Sequence, residues 1–134
     1  MAPINRPVIL VVDDDAAIRL LIQDILDDVQ YKVILADDGA AALTAMATVL
    51  PDLVTLDLDL PGINGAQVLE LMRQDEQLQQ VKVVIISSLE IVPPRVKELA
   101  QAIIRKPFDV DTLLQIIQRL APPPGSEQDK EANA

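Results

Sequence analysis

Short apolar runs alternate along this chain with longer segments in which apolar residues recur at helical spacing. Each run has the length of a strand, is rich in Val, Ile and Leu, and ends at polar or turn-forming residues. This pattern is typical of strands that are covered on both faces. The predicted strands are residues 8–12, 32–36, 53–57, 81–86 and 102–105.

The first three segments between the runs predict helices. Residues 16–29 form an amphipathic helix in this interpretation, with Asp15 available as its N-cap. A second, Ala-rich helix follows the turn at residues 37–39 and ends near Pro51. A third begins after Asn64, which can cap it.

The last third of the chain continues the alternation. A proline pair at residues 93–94 can begin a helix but cannot lie inside one, so the fourth helix is expected only over about residues 94–100. Asp109 caps a fifth, amphipathic helix that runs to Leu120. Five strands alternating with five helices predict an α/β fold, with a parallel sheet covered by helices on both faces.

The chain of 134 residues is long enough for one domain with its own core. We expect this domain over residues 8–120, after a loose N-terminal tail of residues 1–7. Residues 121–134 are rich in proline and then in charged residues, so a disordered C-terminal tail is expected. The proline run at 122–124 would also suit the start of a linker in a longer protein.

Composition excludes several kinds of chemistry. The absence of cysteine and histidine removes disulfides, thiol catalysis, the usual general base and the usual zinc ligand. A net charge of −10 repels nucleic-acid phosphates and anionic membranes, so we expect no direct binding to either. The sequence contains no signal-peptide pattern and no apolar run of membrane-spanning length, and we expect a soluble protein of the cytoplasm.

Five residues with useful chemistry follow the predicted strands. In sheets of this kind, ligands bind beyond the carboxyl ends of the strands, where the strand order reverses. We therefore expect these side chains to meet at one rim of the sheet. They are Asp13 and Asp14 after the first strand, Asp57 after the third, Ser87 after the fourth and Lys106 after the fifth.

Each of these residues alone has an ordinary explanation as a turn, helix-cap or surface residue. Their joint placement at one rim favours a functional site. Neighbouring carboxylates repel, so they must hold protons or share a cation, and oxygen ligands without His or Cys favour Mg²⁺. A carboxylate is also a nucleophile toward a phosphoryl group, whose charge Mg²⁺, an ammonium and a hydroxyl can spread.

Four motifs in this order carry a family resemblance, and they are Val11-Val12-Asp13-Asp14, Asp57-x-x-x-Pro61-Gly62-x-Asn64-Gly65, Ser87 and Lys106-Pro107-Phe108. Together they resemble the receiver domain of two-component response regulators, in its stand-alone form, from about residue 8 to residue 120. The resemblance implies a (βα)5 flavodoxin-like three-layer sandwich with a five-stranded parallel sheet of order 2-1-3-4-5.

The resemblance also implies roles for the acidic residues. Asp57 would accept a phosphoryl group from a histidine kinase or a histidine phosphotransfer protein and so switch binding of a downstream protein. Asp14 and Asp57 would bind Mg²⁺ through their side chains, Asp13 through a water, and Asp59 through its backbone carbonyl. No catalysis is implied beyond self-phosphorylation and self-dephosphorylation.

Ser87 and Lys106 would both contact the phosphoryl group, and the hydroxyl of Ser87 would draw its loop inward. The bond from Lys106 to Pro107 would be cis. The chain departs from the family pattern in the short stretch between Ser87 and Lys106, and at Ile103, where the family often has a switching Tyr or Phe. The output partner and a homodimer are left open.

Two alternative functions stand beside this one. The run from Leu53 to Asp59 also resembles the DxD motif of haloacid-dehalogenase-like phosphatases, with Asp57 as nucleophile and Asp59 as acid/base. That motif normally ends the first strand of a longer chain, whereas here it ends the third. The unusual stretch over residues 89–100 would suit a docking module that works without phosphate.

Overall fold

The structure is a computed structural model that describes residues 6–125. Its strands are β1 (Val8–Val12), β2 (Lys32–Ala36), β3 (Leu53–Leu56), β4 (Lys82–Ser87) and β5 (Ala102–Arg105). They form one five-stranded sheet in the order β2-β1-β3-β4-β5, and every neighbouring pair is parallel. The predicted fold class and strand order are therefore confirmed.

The helices alternate with the strands, as the spacing of apolar residues predicts. They are α1 (Ala16–Asp28), α2 (Gly39–Thr48), α3 (Gly65–Gln74), α4 (Pro94–Leu99) and α5 (Val110–Leu120). Asp15, Asn64 and Asp109 cap α1, α3 and α5 by accepting hydrogen bonds from first-turn amides, as predicted. Asn64 and Gln67 form a reciprocal capping box at the start of α3.

The sheet divides the apolar interior into two cores, one on each face. On one face, buried residues of α2, α3 and α4 pack against alternate residues of the central strands, such as Leu10, Val54 and Ile85. On the other face, α1 and α5 pack against the intervening strand residues, such as Ile9 and Val84. This three-layer arrangement explains why the strand runs are apolar throughout, since both faces of each central strand are covered.

Element ends differ from the predictions by a few residues. The second helix stops at Thr48 instead of near Pro51, and the fourth strand is shifted by one residue, so that Ser87 is its last residue. Of the predicted tails, only residues 6–7 and 121–125 lie within the described part of the chain. Ala121, predicted to start the C-terminal tail, is buried in the core on the face of the sheet covered by α1 and α5. Within residues 6–125, no helix is long and apolar enough to cross a membrane.

Tyr31 ties the start of β2 to the end of α5. Its side chain is 2% exposed, and its hydroxyl donates a 2.5 Å hydrogen bond to the carbonyl of Ala121. Burial raises the pKa of Tyr31 from its usual 10.0 to about 12. The residue therefore closes the face covered by α1 and α5 at the end of the sheet where the strands begin.

We predict that Tyr31→Phe lowers the free energy of unfolding by about 1 to 2 kcal/mol, because the Ala121 carbonyl loses its buried donor. The raised pKa adds a pH dependence. The unfolded chain releases the phenolic proton first, so wild-type stability from this group is intact below about pH 10 and is lost as the pH rises toward about 12. Denaturant titrations near neutral pH and at about pH 11 should show that the difference in free energy of unfolding between the wild type and Tyr31→Phe is smaller at the higher pH. A constant difference would contradict the assignment.

Candidate functional site

The candidate site lies at the carboxyl ends of the two central strands β1 and β3, where the strand order reverses. The chain leaves β1 toward β2 on one side, while β3 lies on the other, which is the switch point at which α/β sheets bind ligands. The amide of Asp57 donates a 3.1 Å hydrogen bond to the carbonyl of Val12. This extends the β1–β3 pairing by one residue and brings Asp57 beside Asp13.

Lys106 connects these two carboxylates from the far edge of the sheet. Its Nζ lies 2.7 Å from Oδ2 of Asp13 and 3.0 Å from Oδ2 of Asp57, and both acidic side chains are almost fully buried. The two carboxylates thus share one cation, as their mutual repulsion requires. Removing Lys106 would leave both buried carboxylates without a compensating charge, at a cost of several kcal/mol.

The electrostatic environment shifts two of these groups. The pKa of Asp57 is raised, chiefly because burial disfavours its charged form, while hydrogen bonds from the Asp59 amide and Lys106 act against this and the charge of Asp13 adds to it. Burial lowers the pKa of Lys106, but its hydrogen bonds to Asp13 and Asp57 and the negative charges of these two residues together outweigh burial and raise it overall. The environment of Asp57 thus disfavours its charged form, whereas that of Lys106 favours its charged form.

Asp14 completes an acidic cluster at the solvent side of this pair. One carboxylate oxygen from each of Asp13, Asp14 and Asp57 lies within 4.8 Å of the others, and only Asp14 is exposed. A set of hard oxygen donors that opens to water on one side fits a divalent cation that keeps water ligands, such as Mg²⁺. The cluster could therefore hold a metal ion.

Asp59 contacts Asp57 through its backbone, and Ser87 is the last residue of the neighbouring strand β4. The Asp59 amide donates a 3.0 Å hydrogen bond to Oδ1 of Asp57, and its own side chain is exposed. Metal binding through the Asp59 carbonyl stays a prediction. Ser87 is 1% exposed, and its Oγ accepts a 3.1 Å hydrogen bond from the amide of Leu89 in its own loop. The Lys106–Pro107 bond is cis, as the resemblance implies.

For two residues, Arg19 and Gly65, no positioning role was predicted from the sequence. Arg19 of α1 donates a 2.7 Å hydrogen bond to the backbone carbonyl of Asp13, which ties that helix to the loop of the acidic pair. Gly65 begins α3 so close to β3 that an added Cβ would overlap the carbonyl oxygen of Asp57 and lie 2.7 Å from Cα of Leu58. Its place in a Pro-Gly-x-Asn-Gly turn signals a glycine requirement, but the sequence does not show which neighbour imposes it.

Comparison with known proteins agrees with this geometry. A family model described as the response regulator receiver domain matches residues 9–118. Sporulation initiation phosphotransferase F of Bacillus subtilis (strain 168) is 30% identical over 115 residues, which cover 85% of this chain and 93% of that protein. Chemotaxis protein CheY of Listeria monocytogenes is also 30% identical over 115 residues, covering 84% and 97% of the two chains.

A solved structure, the chemotaxis response regulator CheY4 of Vibrio cholerae, superposes with a TM-score of 0.81 at 26% identity, covering 87% of this chain and 99% of that one. The chain belongs to the response regulator receiver domain family. Receiver domains are phosphoacceptor signalling domains that interact with histidine kinases and phosphotransfer proteins. Other relatives are longer, and the chain spans 48% of one and 8% of another.

We predict that Asp57→Asn raises stability at neutral pH without divalent cations, because it removes a charge that burial disfavours. A raised pKa means that the stability contributed by Asp57 is present below its ordinary titration range and is lost as pH rises through the raised value. The advantage of the variant should therefore shrink on acidification. Asp37→Asn, at an exposed carboxylate after β2, is the matched control. Equal pH profiles for both variants in thermal unfolding would contradict the prediction.

We also predict that Gly65→Ala lowers the free energy of unfolding by about 1 to 3 kcal/mol, because the new methyl group must displace the end of β3. Gly62→Ala is the control. It has φ +70 but no atom within 4 Å of an added Cβ, so it carries only the backbone cost of about 1 kcal/mol. Amide chemical shifts of residues around Asp57 should differ from the wild type in Gly65→Ala and should match it in Gly62→Ala. A Gly65→Ala protein with wild-type shifts would overturn the steric argument.

Proposed function

We propose that Asp57 is the phosphoacceptor of this receiver domain and that the cluster around it is the phosphoryl-transfer site. The observation that carries the proposal is the buried pairing of Asp57 with the ammonium of Lys106, beside Asp13 at the switch point of the sheet. The nucleophile, a fixed positive charge and a set of acidic oxygens stand within hydrogen-bonding or metal-binding distance of one another.

In the proposed reaction, a carboxylate oxygen of Asp57 attacks the phosphorus of a phosphohistidine. An O–P bond forms as the P–N bond breaks, the imidazole leaves with the bonding electron pair, and the product is an aspartyl phosphate. The ammonium of Lys106 remains beside the transferred group and balances charge on its oxygens. The hydroxyl of Ser87, at the end of the neighbouring strand β4, provides a further hydrogen bond.

The side chains of Asp14 and Asp57, with Asp13 through a water and the carbonyl of Asp59, would hold Mg²⁺. When bound, this ion supplies positive charge to the phosphoryl oxygens. The remaining contributions come from the chain itself. Lys106 keeps Asp13 and Asp57 together, and the Asp59 amide orients the Asp57 carboxylate.

The phosphoryl donor in this proposal is a histidine kinase or a histidine phosphotransfer protein, and the reaction takes place in the cytoplasm. The chain would act as a signalling domain whose chemistry is limited to its own phosphorylation and dephosphorylation. The phosphatase alternative has less support, because the DxD motif follows the third strand and the family model covers the receiver pattern. The remaining alternative, a docking module that binds its partner without phosphate, predicts that no phosphoryl group is added to the protein.

We predict that incubation with acetyl phosphate and Mg²⁺ adds one phosphoryl group to the wild-type protein, seen as a single adduct by intact mass. Asp57→Asn should give no adduct, because the amide is not a nucleophile toward phosphorus. A chelator should abolish the adduct, and Asp14→Asn should lower its yield by at least about tenfold, as is typical when a metal ligand or its support is lost.

Asp37→Asn, an exposed carboxylate after the edge strand β2, is the matched control and should be phosphorylated like the wild type. An adduct that persists in Asp57→Asn would assign the acceptor to another residue. No adduct in any protein under these conditions would overturn the proposal and favour docking without phosphate. Steady turnover of phosphate monoesters would instead favour the phosphatase.

A further inference from the structure

Arg105 makes a contact that the proposed reaction does not use. It is the last residue of β5, and its Cα is the register partner of Ser87 at the end of β4. The exposed side chain turns toward the loop after β4, where its Nη2 donates a hydrogen bond to the backbone carbonyl of Glu90. A side chain on one strand thus holds the loop that begins at its neighbour.

The loop has few other attachments. The side chains of residues 88–91 are all exposed, and Ile91 is 83% exposed, so this segment contributes little to either core. The chain returns to the interior only at Val92, just before α4. Residues 88–91 take part in two described hydrogen bonds, one from the Leu89 amide to Ser87 Oγ and one from Arg105 to the Glu90 carbonyl.

Both hydrogen bonds bear on the orientation of the Ser87 hydroxyl. In the present arrangement Oγ is engaged by the Leu89 amide, on the loop side of the residue. Turning Oγ toward a phosphoryl group on Asp57 requires the loop to follow it or to release it. Arg105 fixes the next residue of that loop, Glu90, and therefore resists movement of the loop, so that Ser87 Oγ can turn only by giving up its hydrogen bond from the Leu89 amide.

We infer that Arg105 is a positioning residue that holds the loop after β4 in its phosphate-free position and so opposes engagement of the phosphoryl group by Ser87. This inference rests on the proposed function of Asp57. The coupling is reciprocal, because a contact that disfavours the engaged state is itself weakened when that state is populated. Phosphorylation would then release the Arg105 guanidinium on the face of the sheet that carries α4.

The side from which Arg105 emerges supports this assignment. Side chains alternate along β5, so Ile103 and Arg105 point to the same face while Ile104 points to the other. Ile103 packs against the core beneath α4, and Ile104 belongs to the opposite core. Arg105 is thus placed to pass a change in the loop after β4 to the surface formed by α4 and β5.

The test measures the acetyl phosphate concentration that gives half-maximal phosphorylation, by intact mass at fixed Mg²⁺. Arg105→Met, which keeps the apolar stem but has no donor, should lower this concentration about three- to tenfold, the effect of one exposed hydrogen bond. Loss of a positive charge would by itself weaken attraction of the anionic donor, so the expected change runs against simple electrostatics. Arg105→Lys retains a donor and the charge and should stay near the wild-type value.

Two controls separate positioning from general effects. Arg95→Met removes an exposed arginine of α4 that pairs with Glu70, and it should leave the half-maximal concentration unchanged. In a Ser87→Ala background the effect of Arg105→Met should disappear, because the hydroxyl through which Arg105 acts is gone. An unchanged or higher concentration in Arg105→Met, or an equal effect with and without Ser87, would overturn the inference.

Hydrogen exchange tests the role of Arg105 without phosphorylation, and therefore independently of the proposed function. In unphosphorylated protein, Arg105→Met should speed exchange of the Leu89 amide, whose partner is Ser87 Oγ, while amides within β5 keep wild-type rates. If the wild type takes up no phosphoryl group, the proposed function fails. In that case the exchange rates alone decide whether Arg105 holds the loop, and an unchanged Leu89 rate refutes it.

Discussion

The ammonium of Lys106 between the buried carboxylates of Asp13 and Asp57 is the interaction on which the rest of the site depends. Like charges at the ends of adjacent strands repel strongly where water is largely excluded, so aspartates after β1 and β3 need either a proton or a shared cation, and Lys106 supplies the cation. That cation comes from the residue after β5, two strands away from β3. The charge arrangement therefore constrains the sheet over most of its width.

This constraint also explains how the site divides its tasks. Lys106 leaves Asp14 free at the solvent side, where a metal ion with water ligands can bind without entering the core. The Asp59 amide and the close packing of Gly65 fix the end of β3 from the opposite direction. Asp57 is thus held by backbone groups and by one charge, and its pKa is raised because they do not fully offset its burial.

The strands and the residues at their ends were predictable because the information is local. Val8–Val12 is apolar throughout and stops at Asp13, and parallel topology then brings the strand ends together. The end of α2 was predicted less well, since Pro51 limits the helix only from Leu50 onward, whereas Val49 is already extended. Helix periodicity indicates which face is buried, but it does not locate the last residue.

The contacts of Arg19 and Arg105 lay beyond sequence reasoning for a different reason. Both are long, flexible side chains whose partners are backbone carbonyls. Because every residue has a backbone carbonyl, the residue type gives no sign of such a contact. Arg105 donates to Glu90, fifteen positions away, across a loop whose path depends on where α4 begins. Such contacts become visible only when the backbone is known.

Pro7 and Pro122, near the two ends of the described chain, line the same cavity of about 430 Å³, together with Asp52 and Lys82 at the starts of β3 and β4. That cavity lies at the end of the sheet where the strands begin, a full strand length from Asp57. A fluorescent reporter or a surface tether joined at Pro7 or Pro122 would therefore leave the rim around Asp57 open. The same geometry makes the domain easy to graft into another protein, because its entry and exit points are neighbours and need only a short spacer.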